Sequence, residues 1–385
     1  MQAGVRHVRQ RVVSGRLMVM LVCSLLGVLP GFAQPPSPAN KIATMSLAVM
    51  QQAVANASER ALSWNGPESG PPARVGATVA IVSEDLRNGG ILGVAKGINE
   101  AIKVMGWKVR VYDAGGTPAG RAKALAAAQA LKPDGVILVG VDADDVAAHL
   151  QTLASRGVPM VGWHVGPVAG PMVGSPIAMN VSTNPLDVAR IAAMAAVVQS
   201  KGQAGVVVFT DSNFAIAMAK ANAMADIIRA CQTCALLEVR DVAISSSAEL
   251  MPAATQELLS RYGKRWTHAL AINDIYFDYA APELTKAGHR SDGISLMSAG
   301  DGSPTAFLRI QAGTFQTGTV AEPINLHGWQ LVDELNRLLS HHPVTGYIEP
   351  VHLVTAGNIA FDGGKQMQYD PDNGYRDIYR RIWKR

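Results

Sequence analysis

Cysteine is almost missing from this chain: its 385 residues hold three. Cys23 lies in the apolar stretch near the start, so only Cys231 and Cys234, in CQTC, bear on the rest. There is no second cysteine pair and no histidine at zinc spacing nearby, so no metal site is expected. A redox pair would want a helix N-terminus to stabilise a thiolate. The CQTC segment instead falls where a helix ends and a strand begins, and in an exported protein a structural disulfide is the better reading. A second long apolar run is also lacking, which excludes a multi-span membrane protein. No G-x-S-x-G elbow, HExxH or GK[ST] loop occurs, and NGGILG does not match the dinucleotide spacing, so no cofactor is expected.

An excess of charge is the next absence. Arg6, Arg9, Arg11 and Arg16 form a basic region without acidic residues, followed by the apolar run Leu17–Leu29 and by Gly31-Phe32-Ala33. This is the pattern of a secretory signal peptide cleaved near Ala33; the alternative is an uncleaved anchor. A lipid anchor at Cys23 is disfavoured by the bulky Val22 before it. Removing residues 1–33 takes four of the 34 basic residues and no acidic one, leaving 30 of each sign. A neutral chain has no basic stripe for nucleic acid. The expected location is the periplasm.

What is present is material for a large core, with 48% hydrophobic residues against 5% aromatic ones. Residues 43–64 read as an amphipathic helix, and Asn65–Ala73, NGPESGPPA, as a linker. From Val75 strands and helices alternate. The strand candidates are Val75–Ser83, Lys108–Asp113, Gly135–Val141, Pro159–Val165 and Ile177–Val181. A second series is Gly205–Asp211, Ala235–Val242, His268–Asn273, Ile294–Ala299 and Gln316–Val320. Most are continuous apolar runs, the mark of parallel strands covered on both faces. The fold class is therefore α/β, doubly wound. So many strands exceed one comfortable open sheet, which predicts two lobes dividing near Asn180–Thr183.

In such sheets ligands bind beyond the carboxyl ends of the strands. Residues there are alike in character: Ser83, Glu84, Asp85 and Asn88; Trp163 and His164; Asp211, Asn213 and Phe214; Asn273 with Asp274; Asp301; Glu322. Short carboxylates and amides suit vicinal hydroxyls, and a ring covers the apolar face of a sugar. Each such residue could equally be a helix cap, and Asp142 is expected to be only that. The argument rests on their coincidence. No residue is placed as a nucleophile or base; a hydrolase using Asp301 and Glu322 is the enzymatic alternative, and a ligand-presenting sensor the other.

Five segments in order carry a resemblance: VAIVSEDLRNGG; LKPDGVILVGVDADDVAAHLQTLASRGVPMVGWH; AINDIYFDYAAPEL; SAGDGSPTAFLRIQAG; and TVAEPINLHGWQLVDEL. From Val75 to about Thr355 the chain resembles the periplasmic sugar-binding proteins of ABC transporters, the ribose-binding-protein-like (type I) group. The resemblance implies two lobes joined by a three-crossing hinge near 180–183, 320–323 and 351–355. Lobe 1 would be 75–180 plus 324–350, and lobe 2 184–319 plus the tail 356–385. It also implies a small-molecule ligand, a monomer, and docking on an ABC permease in the inner membrane. Trp163 and His164, Asn273, Asp301, and Ala321 or Glu322 would reach the pocket. Departures stand at Gly89-Gly90 in place of an aromatic pair, Trp163-His164 in place of Asp-Arg, and Asn222 at a helix position often held by Arg. Trp163 or Phe214 would then be the stacking ring.

Overall fold

The computed structural model describes residues 45–290, 293–363 and 366–385. The signal-like segment, 1–33, with its cleavage site and Cys23, lies outside them. No helix among the described residues is long and apolar enough to cross a membrane.

In chain order the elements are α1 (Leu47–Ala57), β1 (Thr78–Ser83), α2 (Gly89–Met105), β2 (Lys108–Asp113), α3 (Pro118–Leu131), β3 (Gly135–Val139), α4 (Ala147–Ala154), β4 (Met160–Trp163), β5 (Gly170–Pro171) and β6 (Ile177–Val181). Then come α5 (Pro185–Gln199), β7 (Gly205–Thr210), α6 (Ala215–Ala230), β8 (Ala235–Asp241), α7 (Ser247–Tyr262), β9 (His268–Ala271), α8 (Ile275–Lys286), β10 (Ser295–Ser298) and α9 (Pro304–Ala312). The last are β11 (Gln316–Ala321), α10 (Ile324–Leu339), β12 (His352–Thr355), α11 (Ile359–Asp362) and α12 (Tyr375–Trp383).

These strands form two six-stranded sheets, ordered β2-β1-β3-β4-β6-β5 and β12-β11-β10-β9-β7-β8. Every pairing is parallel except those of β5 and β12. All ten expected strands are present: Lys108–Asp113 and Ile177–Val181 have the expected bounds, Gln316–Ala321 runs one residue further, and the other seven are shorter by one to three residues. β5 and β12 escaped the sequence reading: the first is two residues long, and the second is a short antiparallel edge in the stretch expected only as a hinge crossing, 351–355. The expected helix over 43–64 is confined to Leu47–Ala57, capped by Ser46. In both sheets the order reverses beside the first strand, between β1 and β3 and between β7 and β9. That leaves a crevice at the carboxyl edge of each, and the two crevices face one another.

The tail departs from expectation. Tyr369 packs with Phe307, Ile310 and Val354 in lobe 2. Tyr375, Tyr379, Ile382 and Trp383 belong instead to the lobe 1 core around α2 and α10. The tail is therefore shared, and its helix lies on lobe 1. The reason is a row of rings: Trp383 stacks on Trp329 of α10 at 5.3 Å between centroids, and its indole N–H donates to Asp333 at 2.7 Å. The N-terminal segment makes a matching pass. Met50 and Ala57 pack in the lobe 2 core, while Trp64 lies against Tyr347 and Tyr379 of lobe 1. The first and last described segments thus bridge the lobes in addition to the hinge. They also bury the outer polar face of α10, where Asn336 and Arg337 bond to the linker carbonyls of Pro71, Pro72 and Ser69.

Candidate functional site

The lobes close on a cavity of about 540 Å³. Glu84, Asp85, Asn88, Trp163, His164, Asp211, Phe214, Asn273 and Asp301 all line it. They come from strand ends of both sheets, so the switch-point geometry brings together residues as distant in sequence as Glu84 and Asp301.

On lobe 1, β1 ends at Ser83, which is fully buried in the strand behind the cavity wall. Glu84 turns into the cleft and takes Arg121 bidentately, from Nε at 2.8 Å and Nη2 at 2.9 Å. Arg121 Nη1 reaches Asp145 Oδ2 at 2.6 Å. Burial pushes the Glu84 carboxyl up, and the Arg121 bonds oppose it. Thr117 and Pro118 start α3, and this places Arg121 in its first turn. Asp85 is held by Arg87, Nη2 to Oδ2 at 2.6 Å. Asn88 caps α2 through its Oδ1, accepting from Gly90 N at 2.9 Å.

At the hinge side, the rings of Trp163 and His164 stack at 3.6 Å. His164 Nε2 sits 2.9 Å from Glu322 Oε1, and Lys220 Nζ is 3.8 Å from the same oxygen. Trp163 Nε1 donates to His327 Nδ1 at 3.1 Å. That nitrogen is therefore unprotonated, and the 3.5 Å approach of His327 to Glu322 is no ion pair. Burial agrees, lowering the His327 pKa to about 4. Burial would raise Glu322, but the charges of His164 and Lys220 outweigh it and hold this carboxylate low. Asp301 has the opposite fate. Burial, only partly opposed by Lys220, pushes it up to about 6. His164, Asp301 and Glu322 bring three ligand-type atoms within 4.8 Å, but the cation already among them is Lys220, which also donates to Ala299 O at 2.9 Å.

Lobe 2 contributes short groups fixed by backbone amides. Asp211 accepts from Asn213 N at 2.9 Å and Ile244 N at 2.7 Å. Asn273 accepts from Ile275 N at 3.0 Å and donates to Asp301 Oδ2 at 2.6 Å. Asp274 points away from the cavity. Its Oδ2 accepts from Gly302 N and Ser303 N, at 2.8 and 2.9 Å, and so shapes the loop that presents Asp301.

The conformation is closed. Ala215 N of lobe 2 donates to Asp142 Oδ2 of lobe 1 at 3.3 Å, so Asp142 is a bridge as well as a cap. The Arg121 guanidinium lies 5.5 Å from the Phe214 ring centroid. Gly90 has no side chain because Asp301 stands there: a Cβ would meet its Oδ2 at 2.1 Å.

Three expected contacts need correction. Ser83 and Glu322 are buried behind the wall rather than on it, Glu322 acting through His164 and Lys220. Asn222 is exposed on the outer side of α6. The residue that faces the cleft is Lys220, two positions earlier and, at 100° per residue, on the opposite side of the helix. Arg121, Asp145 and His149 also line the cavity and escaped the sequence reading, since they lie inside helical turns and not directly after strands. A basic residue in the first turn of a helix leaving a strand's carboxyl end was the available signal for Arg121. Cys231 and Cys234, away from the cleft, are joined by a disulfide.

No curated protein matches the chain in sequence. Among solved structures, an ABC sugar transporter subunit from Rhodobacter sphaeroides aligns with TM-score 0.63 and 21% identity, over 73% of this chain and 99% of that one. The Caulobacter myo-inositol binding protein, bound to myo-inositol, aligns with TM-score 0.65 and 19% identity, over 75% and 96%. The binding protein of the Shewanella arabinose ABC transporter aligns with TM-score 0.64 and 15% identity, over 74% and 93%. At such identities the likeness is one of fold. Residues 79–343 match the sequence family described as periplasmic binding protein domain. That span contains both sheets up to β11, the helix α10 that returns to lobe 1, and every residue placed on the cavity wall, and the chain belongs to the periplasmic binding protein family.

Proposed function

We propose that this protein captures a small, uncharged, hydroxyl-rich solute in the periplasm and delivers it, as a monomer, to an ABC permease of the inner membrane. One observation carries the choice of solute. Five acidic side chains line the cavity (Glu84, Asp85, Asp145, Asp211 and Asp301) against two basic ones, Arg121 and Lys220. Both cations are already engaged, Arg121 by Glu84 and Asp145, Lys220 by Ala299 O and Glu322. An anion entering this cleft would lose its hydration without gaining a partner. A polyol would find fixed acceptors and amides. The solutes of the similar structures, myo-inositol and arabinofuranose, are of that kind. Capture needs no reaction: each buried group left unpaired by a wrong solute costs about 1–3 kcal/mol.

The test is a thermal-shift panel on ligand-stripped protein. A neutral sugar or polyol at about 100 times its Kd should raise Tm by about 5 °C, and mass spectrometry should recover it unchanged. A larger shift with sugar phosphates or sugar acids, or conversion of the solute, would overturn the proposal.

A further inference from the structure

Helix α6 starts without a cap of its own. At the same position α2, α3, α5 and α9 carry Asn88, Thr117, Asn184 and Ser303, whose side chains accept from amides of the first turn. In α6 that position is Phe214, which has no side-chain oxygen, and the first turn holds no acidic residue. Asp211, shortly before it, is committed to Asn213 and to Ile244 N. The acceptor comes from the other lobe. Asp142, just past β3 in lobe 1, accepts from Asp144 N on Oδ1 at 3.1 Å and from Ala215 N, the first amide of α6, on Oδ2 at 3.3 Å. A carboxylate there also meets the positive end of the helix dipole. The Phe214 ring beside it lies 5.5 Å from the Arg121 guanidinium of lobe 1. Neither Asp142 nor Ala215 lines the cavity.

We propose that Asp142 is a positioning residue for capture: by capping α6 across the cleft it latches the lobes together, and so sets solute affinity without touching the solute. This rests on the capture between lobes proposed above. Asp142 and Ala215 belong to different lobes, so opening parts them and leaves the α6 amide to water. The bond then exists in the closed form alone, which is the condition for an interaction to bias the open–closed equilibrium. The expected bias is about three- to tenfold, modest for a charged acceptor because the bond is long at 3.3 Å and Ala215 is exposed. Where the ligand-free protein rests open, the bias appears in the solute affinity. Where it rests closed, losing the bias opens the ligand-free protein.

Ala215→Pro removes the N–H that Asp142 accepts from and keeps the helix, because proline is favourable at the first helical position. The chain itself begins α3, α5 and α9 with Pro118, Pro185 and Pro304. The extended backbone of Phe214, φ −124° and ψ 124°, is what a residue before proline adopts. The variant's melting temperature should stay within about 2 °C of wild type. Ligand-stripped protein is then titrated with myo-inositol, D-ribose, L-arabinose, D-glucose and D-galactose, and its small-angle scattering is recorded without solute. Either Kd should rise about three- to tenfold through faster release, or the scattering should shift to a more open form. Asp142→Ala should reproduce the change, and in the double variant the two effects should not multiply. A cap serving only its own loop in lobe 1 would leave them independent. If Ala215→Pro alters neither affinity nor scattering, or the two effects multiply, the latch is wrong while capture stands. If no sugar of the set binds wild type, the capture reading falls and the scattering alone decides the latch.

Discussion

The two lobes share a topology but build their faces of the cleft differently. Lobe 2 offers short side chains, Asp211, Asn273 and Asp301, each set by backbone amides or neighbours within a loop. Lobe 1 offers long ones tied to each other across the sheet: Glu84 to Arg121, Arg121 to Asp145, and His164 to the Glu322 that arrives from β11. The backs differ as well. Lobe 1 is overlaid by the linker before Thr78 and by α12, which seal α10 under the rings of Trp64, Tyr379 and Trp383. Lobe 2 carries α1 on α5 and the α11 segment against Phe307. A face of locally set dipoles tolerates single changes, whereas a network of mutually neutralised charges does not, because removing one member strands another.

The largest effect should come from the covered back of lobe 1. Trp383→Ala removes a buried ring and the partner of Asp333, and should cost about 3–5 kcal/mol, measured by denaturant unfolding. A loss under about 1 kcal/mol would mean that α12 is an ornament and the lobes are alike behind. Next is the charged face. Arg121→Met leaves the buried Glu84 uncompensated, and should cost about 2–4 kcal/mol, below the full buried-pair value because Asp145 is half exposed. Asp211→Asn, its counterpart on lobe 2, keeps the shape and an acceptor and should cost about 1 kcal/mol. Equal losses would dissolve the contrast between the faces.

A third prediction concerns pH. The folded pKa of Asp301 is raised to about 6 by burial, so the native state holds this proton more tightly than the unfolded chain. Its contribution to stability is fully present below the unfolded value near 4 and is lost as pH rises through about 6. Asp301→Asn should therefore be favourable relative to wild type at pH 7, with the advantage shrinking as pH falls from about 6 to about 4. His327, lowered to about 4 by burial, loses stability over the same fall in both proteins, and comparing the two removes that background. An unchanged difference across the window would place Asp301 in contact with water. The smallest effect is expected at Asn222→Ala, within about 0.5 kcal/mol in stability and about twofold in solute affinity. A greater loss of affinity would restore Asn222 to the site in place of Lys220.

Most lobe 2 contacts were legible because each is a local event. A parallel strand must end, and the residue after it either caps a helix or faces the crevice; Asp211, Asn273 and Asp301 follow from that rule. Lys220 was not legible, and Arg121 carried only the signal of a basic residue in the first turn of a helix. Which turn of a helix faces a cleft depends on the rotation of that helix against the opposite lobe, and two residues of error moved the assignment from Lys220 to the exposed Asn222. Glu322 was placed at the site by its strand end, but its burial behind His164 depends on β4 and β11 meeting at the hinge.

By itself the sequence determined the alternation of strands and helices, the parallel character of the sheets, the break into two lobes and the chemical type of the cleft. These are set by periodicity, strand-end chemistry and turn residues, which act over a few positions. Tertiary structure alone decided that the first and last described segments bridge the lobes, that Arg121 and Lys220 are paired before any solute arrives, and that Asp301 rather than Glu322 resists ionisation. Each of these follows from how deeply a group is buried and which charge stands beside it, and both are properties of packing between segments far apart in the chain.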